Sequence, residues 1–264
     1  MVLLPLALLT SAGCGLAPQL DRLRKDYVAQ AQIGQAKAQV AAGGDFQRAH
    51  KLAERALQLT PDSLPVIRTA AAVFLRTGAW EQGLQTLEEY ESRAGAVSLY
   101  EKGMACLYTG REAEGTRLLE SYLADQRSLR AVGQIDDESL AWTLNNVGYV
   151  YADAGVHLTR ALELTRAALR LRWGSPAIAD SVAWAYYRLA RYDEAAFHVE
   201  QAVRLMRPPD AVLLYHAGAV HARQGRLILA ENELRRALKL QRHFPEARYE
   251  LERLHWQLPP PQRV

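Results

Sequence analysis

Gly148, Ala183 and Gly218 stand 35 residues apart, and Ala195 with Ala230 and Ala202 with Ala237 keep the same interval. A fixed period of roughly 20–50 residues marks a chain built by stacking one small unit, and it excludes most folds with a single closed core. Within each period the apolar residues recur at three and four positions, which is the spacing of an amphipathic helix. Two such runs fit in one period, so the unit is a pair of helices. The matched small residues have a packing cause: two antiparallel helices come close only where the facing side chains are small. Composition agrees. The chain holds 43 Ala and 40 Leu but only 5 Ile and 4 Phe, which favours helix and disfavours a sandwich, a barrel or a doubly wound sheet. A hydrophobic fraction of 49% against 23% charged residues is that of a folded chain.

The same pattern is fainter upstream. Gly83, Leu87 and Tyr90 are copied as Gly115, Leu119 and Tyr122 at an interval of 32, and Ala36, Gly44, Ala49, Ala53, Ala56 and Pro61 form an earlier unit. Gly44, Gly78, Gly110, Gly155 and Gly225 fall between the two helices of a unit, where a residue of positive φ ends the first one. Pro61, Pro176, Pro208 and Pro209 fall between units, where a helix stops or starts.

At these residues the chain resembles the tetratricopeptide repeat family, whose unit of about 34 residues is a helix–turn–helix. Ala183, Tyr186, Ala195 and Ala202 match its small, aromatic and alanine positions, whereas Ala190 stands where the family has Gly, and Trp173, Arg207 and Arg242 where it has Pro. The resemblance implies an all-α chain: a right-handed superhelical solenoid of about six repeats with a capping helix. The expected organisation is weaker repeats over 27–128, a linker over 129–140, repeats over 141–244, and a capping helix with a Pro-rich tail over 245–264. In the cap, Ala247, Leu251 and Leu254 line one side and Glu246, Arg248, Glu250 and Glu252 face water.

Residues 1–13 carry no charged side chain, and an apolar run leads through Thr10-Ser11-Ala12-Gly13 to Cys14. The run is too short to span a bilayer, which takes about 20 apolar residues, and reads as the apolar part of a secretory signal. Ser11-Ala12-Gly13-Cys14 resembles the lipobox of bacterial lipoproteins, although Ser11 stands where that family prefers Leu. The resemblance implies a signal peptide over 1–13, a lipid on Cys14, a tether over 14–26, and an outer-membrane anchor facing the periplasm if the cell is Gram-negative. A soluble periplasmic or secreted product is the alternative. Cys106, in a helical stretch, reads as a small buried hydrophobe.

Catalytic and metal-binding spacings are absent: there is no His-x-x-x-His, Cys-x-x-Cys, Gly-rich phosphate loop or Gly-x-Ser-x-Gly. His216 and His221 are five apart and do not share a helix face; most of the seven His read as exposed or interfacial. Asp136-Asp137-Glu138 reads as a helix N-cap. The net charge of +3 is too small and too interleaved for a phosphate-binding surface, so nucleic acid is not expected as a partner. Neither are a small-molecule substrate, a cofactor or a metal.

What remains is a groove. By resemblance to the family, set positions of each first helix point into the concave side, and here these are Trp142, Asn145, Tyr149 and Asp153, then Asp180, Trp184, Tyr187 and Arg188, then Tyr215 and Arg223. Arg68 and Arg76 occupy such positions in the second unit, and Glu101 and Tyr108 in the third. Trp, Tyr and Arg are the types enriched at binding hot spots. The expectation is a non-catalytic protein–protein scaffold that binds envelope proteins or peptides, in outer-membrane, pilus, secretion or polysaccharide-export assembly. A glycan-binding module, or a non-catalytic subunit of an envelope enzyme complex, is the alternative. Trp142, Trp184 and Tyr187 are equally compatible with packing between units, and Tyr151 and Tyr186 read as core.

Overall fold

A computed structural model describes residues 16–255. The segment expected as a signal peptide and the lipidation position Cys14 lie outside the described residues. Those residues hold thirteen α-helices and no strand, and divide between Ala105 and Cys106 into two compact units.

The first unit holds α1 (Leu16–Ala41), α2 (Phe46–Leu59), α3 (Leu64–Arg76), α4 (Trp80–Ala94) and the start of α5 (Leu99–Tyr108). The pairs α1–α2 and α3–α4 pack along their lengths. Ala29 and Ala36 of α1 meet Ala49, Ala53 and Ala56 of α2, all without exposed surface, so short side chains let the two helices come close. Val66, Ala70, Val73 and Phe74 of α3 complete that core. Residues 16–26, expected as part of a tether, are the first turns of α1. Pro18 sits in the first turn, where its missing N–H costs nothing, Leu, Arg and Lys favour helix, and Asp21 pairs with Lys25 at 2.7 Å.

The second unit holds the end of α5, then α6 (Glu112–Ala131), α7 (Asp137–Ala154), α8 (Leu158–Leu171), α9 (Pro176–Arg188), α10 (Tyr192–Leu205), α11 (Ala211–Arg223), α12 (Leu227–Leu240) and α13 (Pro245–His255). The pairs α7–α8, α9–α10 and α11–α12 are the three clear repeats of the sequence. Behind each pair the next first helix packs on the preceding second helix: α9 on α8, α11 on α10 and α13 on α12. The segment 129–140 is the end of α6, a short turn, and the first turn of α7. Asp136 caps α7, its carboxylate accepting from the Ser139 N–H at 2.8 Å. In α13, Ala247 and Leu254 seal Leu234 and Ala237 of α12. Glu250 departs from the expectation: it is buried, and its carboxylate is held by Arg253 at 2.6 Å.

The turn inside each pair is one repeated device. The N–H of a positive-φ residue bonds the carbonyl three residues back, and the next N–H bonds the carbonyl five back, closing the orphan carbonyls of the first helix. Gly78 with Ala79, Gly155 with Val156, and Gly225 with Arg226 all do so. In the first pair the positive φ falls on Gly43 and not on Gly44, because α1 ends one residue earlier than its apolar pattern suggests. In the fifth pair it falls on Ala190, at φ +58, where Cβ crowds the following carbonyl. Ala190→Gly is therefore expected to stabilise the protein by about 1 kcal/mol, read as a higher midpoint in urea unfolding. A lowered midpoint would show that Ala190 makes contacts worth more than the strain.

Candidate functional site

In the second unit α7, α9, α11 and α13 lie side by side as one layer. Three of these helices and the residue just before α13 present aromatic residues to one another there. Trp184 of α9 stacks on Tyr187 one turn ahead, with centroids 4.8 Å apart and rings 7° from parallel. Its ring also stacks on His216 of α11, at 4.1 Å and 18°. Tyr215 of α11 packs against Trp184 at 5.6 Å and against Phe244, just before α13, at 5.1 Å. Tyr149 of α7 leans on His216 at 6.0 Å.

Asp153 gathers this cluster at the end of α7. Its carboxylate accepts from the Tyr108 hydroxyl at 2.6 Å and from the Trp184 indole N–H at 3.2 Å, and its backbone carbonyl accepts from Arg188 at 2.5 Å. The Asp180 carboxylate accepts from His216 Nδ1, with both oxygens at 3.0 Å. Burial pushes the Tyr149 hydroxyl well above its ordinary pKa, and the Asp153 and Asp180 carboxylates add to the shift. Tyr149 therefore stays a neutral donor at any physiological pH. Burial likewise raises Tyr215, with the Glu250 carboxylate second.

The arrangement sorts the expected groove residues into two kinds. Trp184 at 3% exposure, Asn145 at 6% and Asp180 at 8% are interior residues and correct the expectation that they line an open surface. Trp184 is buried because the flat rings on either side and the Asp153 acceptor use up both its faces and its N–H. Arg223 is exposed, and Tyr149, Tyr187, Arg188 and Tyr215 are half-buried. The Arg223 guanidinium donates to the Tyr187 hydroxyl at 3.4 Å. Trp142 stands apart, near the start of α7, under the Arg172 guanidinium at 5.1 Å. Arg76 lies in the first unit, where it lines a cavity with Arg68 and Glu101.

His216 and His221 are buried, whereas His50, His157, His198 and His243 are half-buried or exposed, as expected of most of the His. The two buried ones do lie on different faces of α11: His216 turns to Asp180 of α9, and His221 donates to Glu233 of α12 at 2.7 Å. The intervals Asp180–His216 and His221–Glu233 carry no spacing rule, which is why the pairs were not legible from sequence. Cys106, Tyr151 and Tyr186 are buried as expected. Among the described residues no cluster of His, Cys, Asp and Glu is able to hold a metal ion, and no helix is long and apolar enough to cross a membrane.

Consecutive helix pairs, first helices in one layer and an αL turn inside each pair define a helical-repeat protein. Residues 40–105 match the family model of the tetratricopeptide repeat. The chain is similar to tetratricopeptide-repeat proteins, by this match over residues 40–105 and by fold over its other helix pairs. It is 28% identical over 225 residues to a TPR repeat-containing protein of Pseudomonas aeruginosa, a match that covers 75% of this chain. The match covers 35% of that relative, so the chain spans about a third of the length of the curated relative it matches. Among solved structures it is similar to a tetratricopeptide repeat protein of Parabacteroides merdae, with TM-score 0.67, 12% identity, and 91% and 87% of the two chains covered. Yeast Tom70 aligns with TM-score 0.58 and 14% identity over 91% of this chain and 50% of its own. PilW, a widely conserved type IV pilus biogenesis factor, aligns with TM-score 0.54 and 15% identity over 85% and 98%. These likenesses are of fold.

Proposed function

We propose that the chain is a non-catalytic scaffold of the bacterial cell envelope, anchored by a lipid on Cys14, that binds a protein or peptide along the first-helix layer of its repeats. The observation that carries this reading is the cluster of half-buried Tyr149, Tyr187, Arg188 and Tyr215 with exposed Arg223 across α7, α9 and α11. Their rings and guanidiniums are held from below by Asp153, Trp184 and His216, so little conformational freedom is lost when a partner docks. The fold shared with a type IV pilus biogenesis factor makes pilus assembly the first setting to examine.

Tyr187→Phe combined with Arg223→Ala removes the hydroxyl–guanidinium pair and keeps the ring that stacks on Trp184. Pull-down from solubilised envelopes is expected to recover a partner with the native chain and at least tenfold less with this variant. Equal recovery would overturn the assignment of the face. The anchor is checked separately: radioactive palmitate is expected to label the native chain in cells and not Cys14→Ala. Equal labelling of the two would remove Cys14 as the lipid site.

A further inference from the structure

One side of α1 carries no charge from Leu20 to Ala38, and it is the side turned away from the core. Ala29, Ile33 and Ala36 face the core of the first unit. Opposite them Leu20, Leu23, Tyr27, Ala31, Gly34 and Ala38 follow at steps of three and four residues, and at 3.6 residues per turn they fall within about 80° of arc. All six are exposed, and the three large ones strongly so: Leu20 at 51%, Leu23 at 64% and Tyr27 at 77%. A stack of repeats stays soluble where its outer helix presents polar residues. Helix α13 does this, with Glu246, Arg248 and Glu252 exposed. The stripe on α1 is apolar instead, and no described residue covers it.

The order of sizes along the stripe says what fits on it. The large residues occupy its first half and the small ones its second. A second α1, turned end for end about the midpoint near Ala29, sets Leu20 against Ala38, Tyr27 against Ala31, and Leu23 beside Gly34. Each bulky side chain then meets a small one, so the two helices are able to pack without voids. A Cβ on Gly34 would meet nothing within 4 Å, so the space that Leu23 needs is open. A parallel pair would set Tyr27 against Tyr27 and Ala38 against Ala38, which wedges one end apart and leaves the other empty. The flanks agree with the reversed pair. Arg24 of one copy comes level with Gln35 of the other. Asp26 and Lys37 share the opposite flank, and reversal brings Lys37 of one copy within about 8 Å, measured along the axis, of Asp26 of the other. A bilayer surface would gain only from the large half of the stripe, and anionic headgroups would repel Asp26 at its edge.

We infer that two copies of the chain pair through α1, antiparallel, about a two-fold axis near Ala29. The interface is isologous, so each contact occurs twice. The inference goes beyond the scaffold reading and stands without it, since it needs neither the lipid nor the second unit. A helix face about 27 Å long covers less than the roughly 800 Å² per partner of a standard interface. The dimer is accordingly weak, with an expected Kd of about 10 µM.

The test uses the full chain as Cys14→Ser, free of lipid, in sedimentation velocity from tenfold below to tenfold above that concentration. A shift from monomer to dimer is expected, and Leu23→Glu is expected to weaken it at least tenfold. Leu23 is exposed, so thermal melting of that variant by circular dichroism is expected to match the unsubstituted protein. Register is read by disulfide trapping. Leu20→Cys mixed with Ala38→Cys is expected to give a cross-linked dimer under mild oxidation. Leu20→Cys alone is expected to give none, because its two thiols would lie about 27 Å apart. Cys106 is buried and does not compete. A chain that stays monomeric throughout, a dimer indifferent to Leu23→Glu, or trapping of Leu20→Cys with itself would each overturn the inference. A full chain that is monomeric until residues 1–13 are removed would also overturn it, and would assign the stripe to the chain's own first segment. Monomer that instead sediments with phosphatidylglycerol vesicles, in a manner that depends on Leu23, would assign the stripe to a lipid surface and end the inference.

Discussion

Gly148→Leu is expected to unfold the α7–α8 pair, with a loss of more than about 4 kcal/mol, in the range reserved for gross overpacking. The geometry is specific. A Cβ placed on Gly148 would lie 2.8 Å from Thr165 Cγ2, 3.0 Å from the Ala161 carbonyl oxygen and 3.1 Å from Leu164 Cβ. The side-chain methyl is able to turn away, but the carbonyl oxygen belongs to the backbone of α8 and moves only with the helix. Even Gly148→Ala is therefore expected to destabilise by about 1–3 kcal/mol, although alanine is intrinsically the better helix former by about 1 kcal/mol. Gly34→Ala is the contrast: it also lies inside a helix, a Cβ there meets nothing within 4 Å, and the intrinsic gain of up to about 1 kcal/mol is expected in full. Urea unfolding of the variants decides the matter. A Gly148→Ala protein as stable as Gly34→Ala would show that the helices of the pair separate freely, and that the period of small residues is not a packing constraint.

The contrast between these glycines also shows what was legible in the sequence. Gly148, Ala183 and Gly218 announce themselves by recurrence, because each unit faces the same close approach between two helices. The αL turns at Gly78, Gly110, Gly155 and Gly225 were readable for the same reason, the first was placed one residue late, and Ala190 stood out as the position that breaks the pattern. The face of the first-helix layer was partly readable, since Tyr149, Tyr187, Arg188, Tyr215 and Arg223 occupy positions that recur from unit to unit. Which of its aromatics are interior was not readable. Trp184 is covered only because His216 arrives from α11 and Tyr187 from the next turn of α9, and Asp153 reaches its N–H from α7. Those are contacts between neighbouring units, and a periodic pattern specifies each unit without specifying how one polar side chain answers another in the next. The same limit hid the cavity of the first unit. Arg68, Arg76 and Glu101 stood at groove positions, but Lys37 and Val40 come from a helix whose repeat signal is faint.

Asp180→Ala is the second change with a large expected effect, because it removes the acceptor of a fully buried imidazole. The carboxylate accepts and does not donate, so Nδ1 of His216 carries the hydrogen. With Asp180 gone, that N–H has no acceptor at a position where His216 is only 1% exposed. Leaving such a donor unsatisfied costs about 1–3 kcal/mol. The consequence reaches the proposed interaction face through Trp184, whose ring is held between His216 and Tyr187. Releasing the imidazole is expected to reduce the near-ultraviolet circular dichroism of the tryptophans and to weaken partner recovery several-fold, although Asp180 itself is only 8% exposed. Asp180→Asn keeps a carbonyl acceptor of the same shape and is expected to retain most of the stability. Asp180→Ala/His216→Phe removes both polar partners and keeps a flat ring against Trp184, so its loss is expected to be smaller than the sum of the single changes by about 1–2 kcal/mol. Strictly additive losses in that cycle would mean that the two residues act independently. The order of Trp184 would then have to come from Asp153 and Tyr187 alone, which predicts that Asp153→Ala, and not Asp180→Ala, collapses the face.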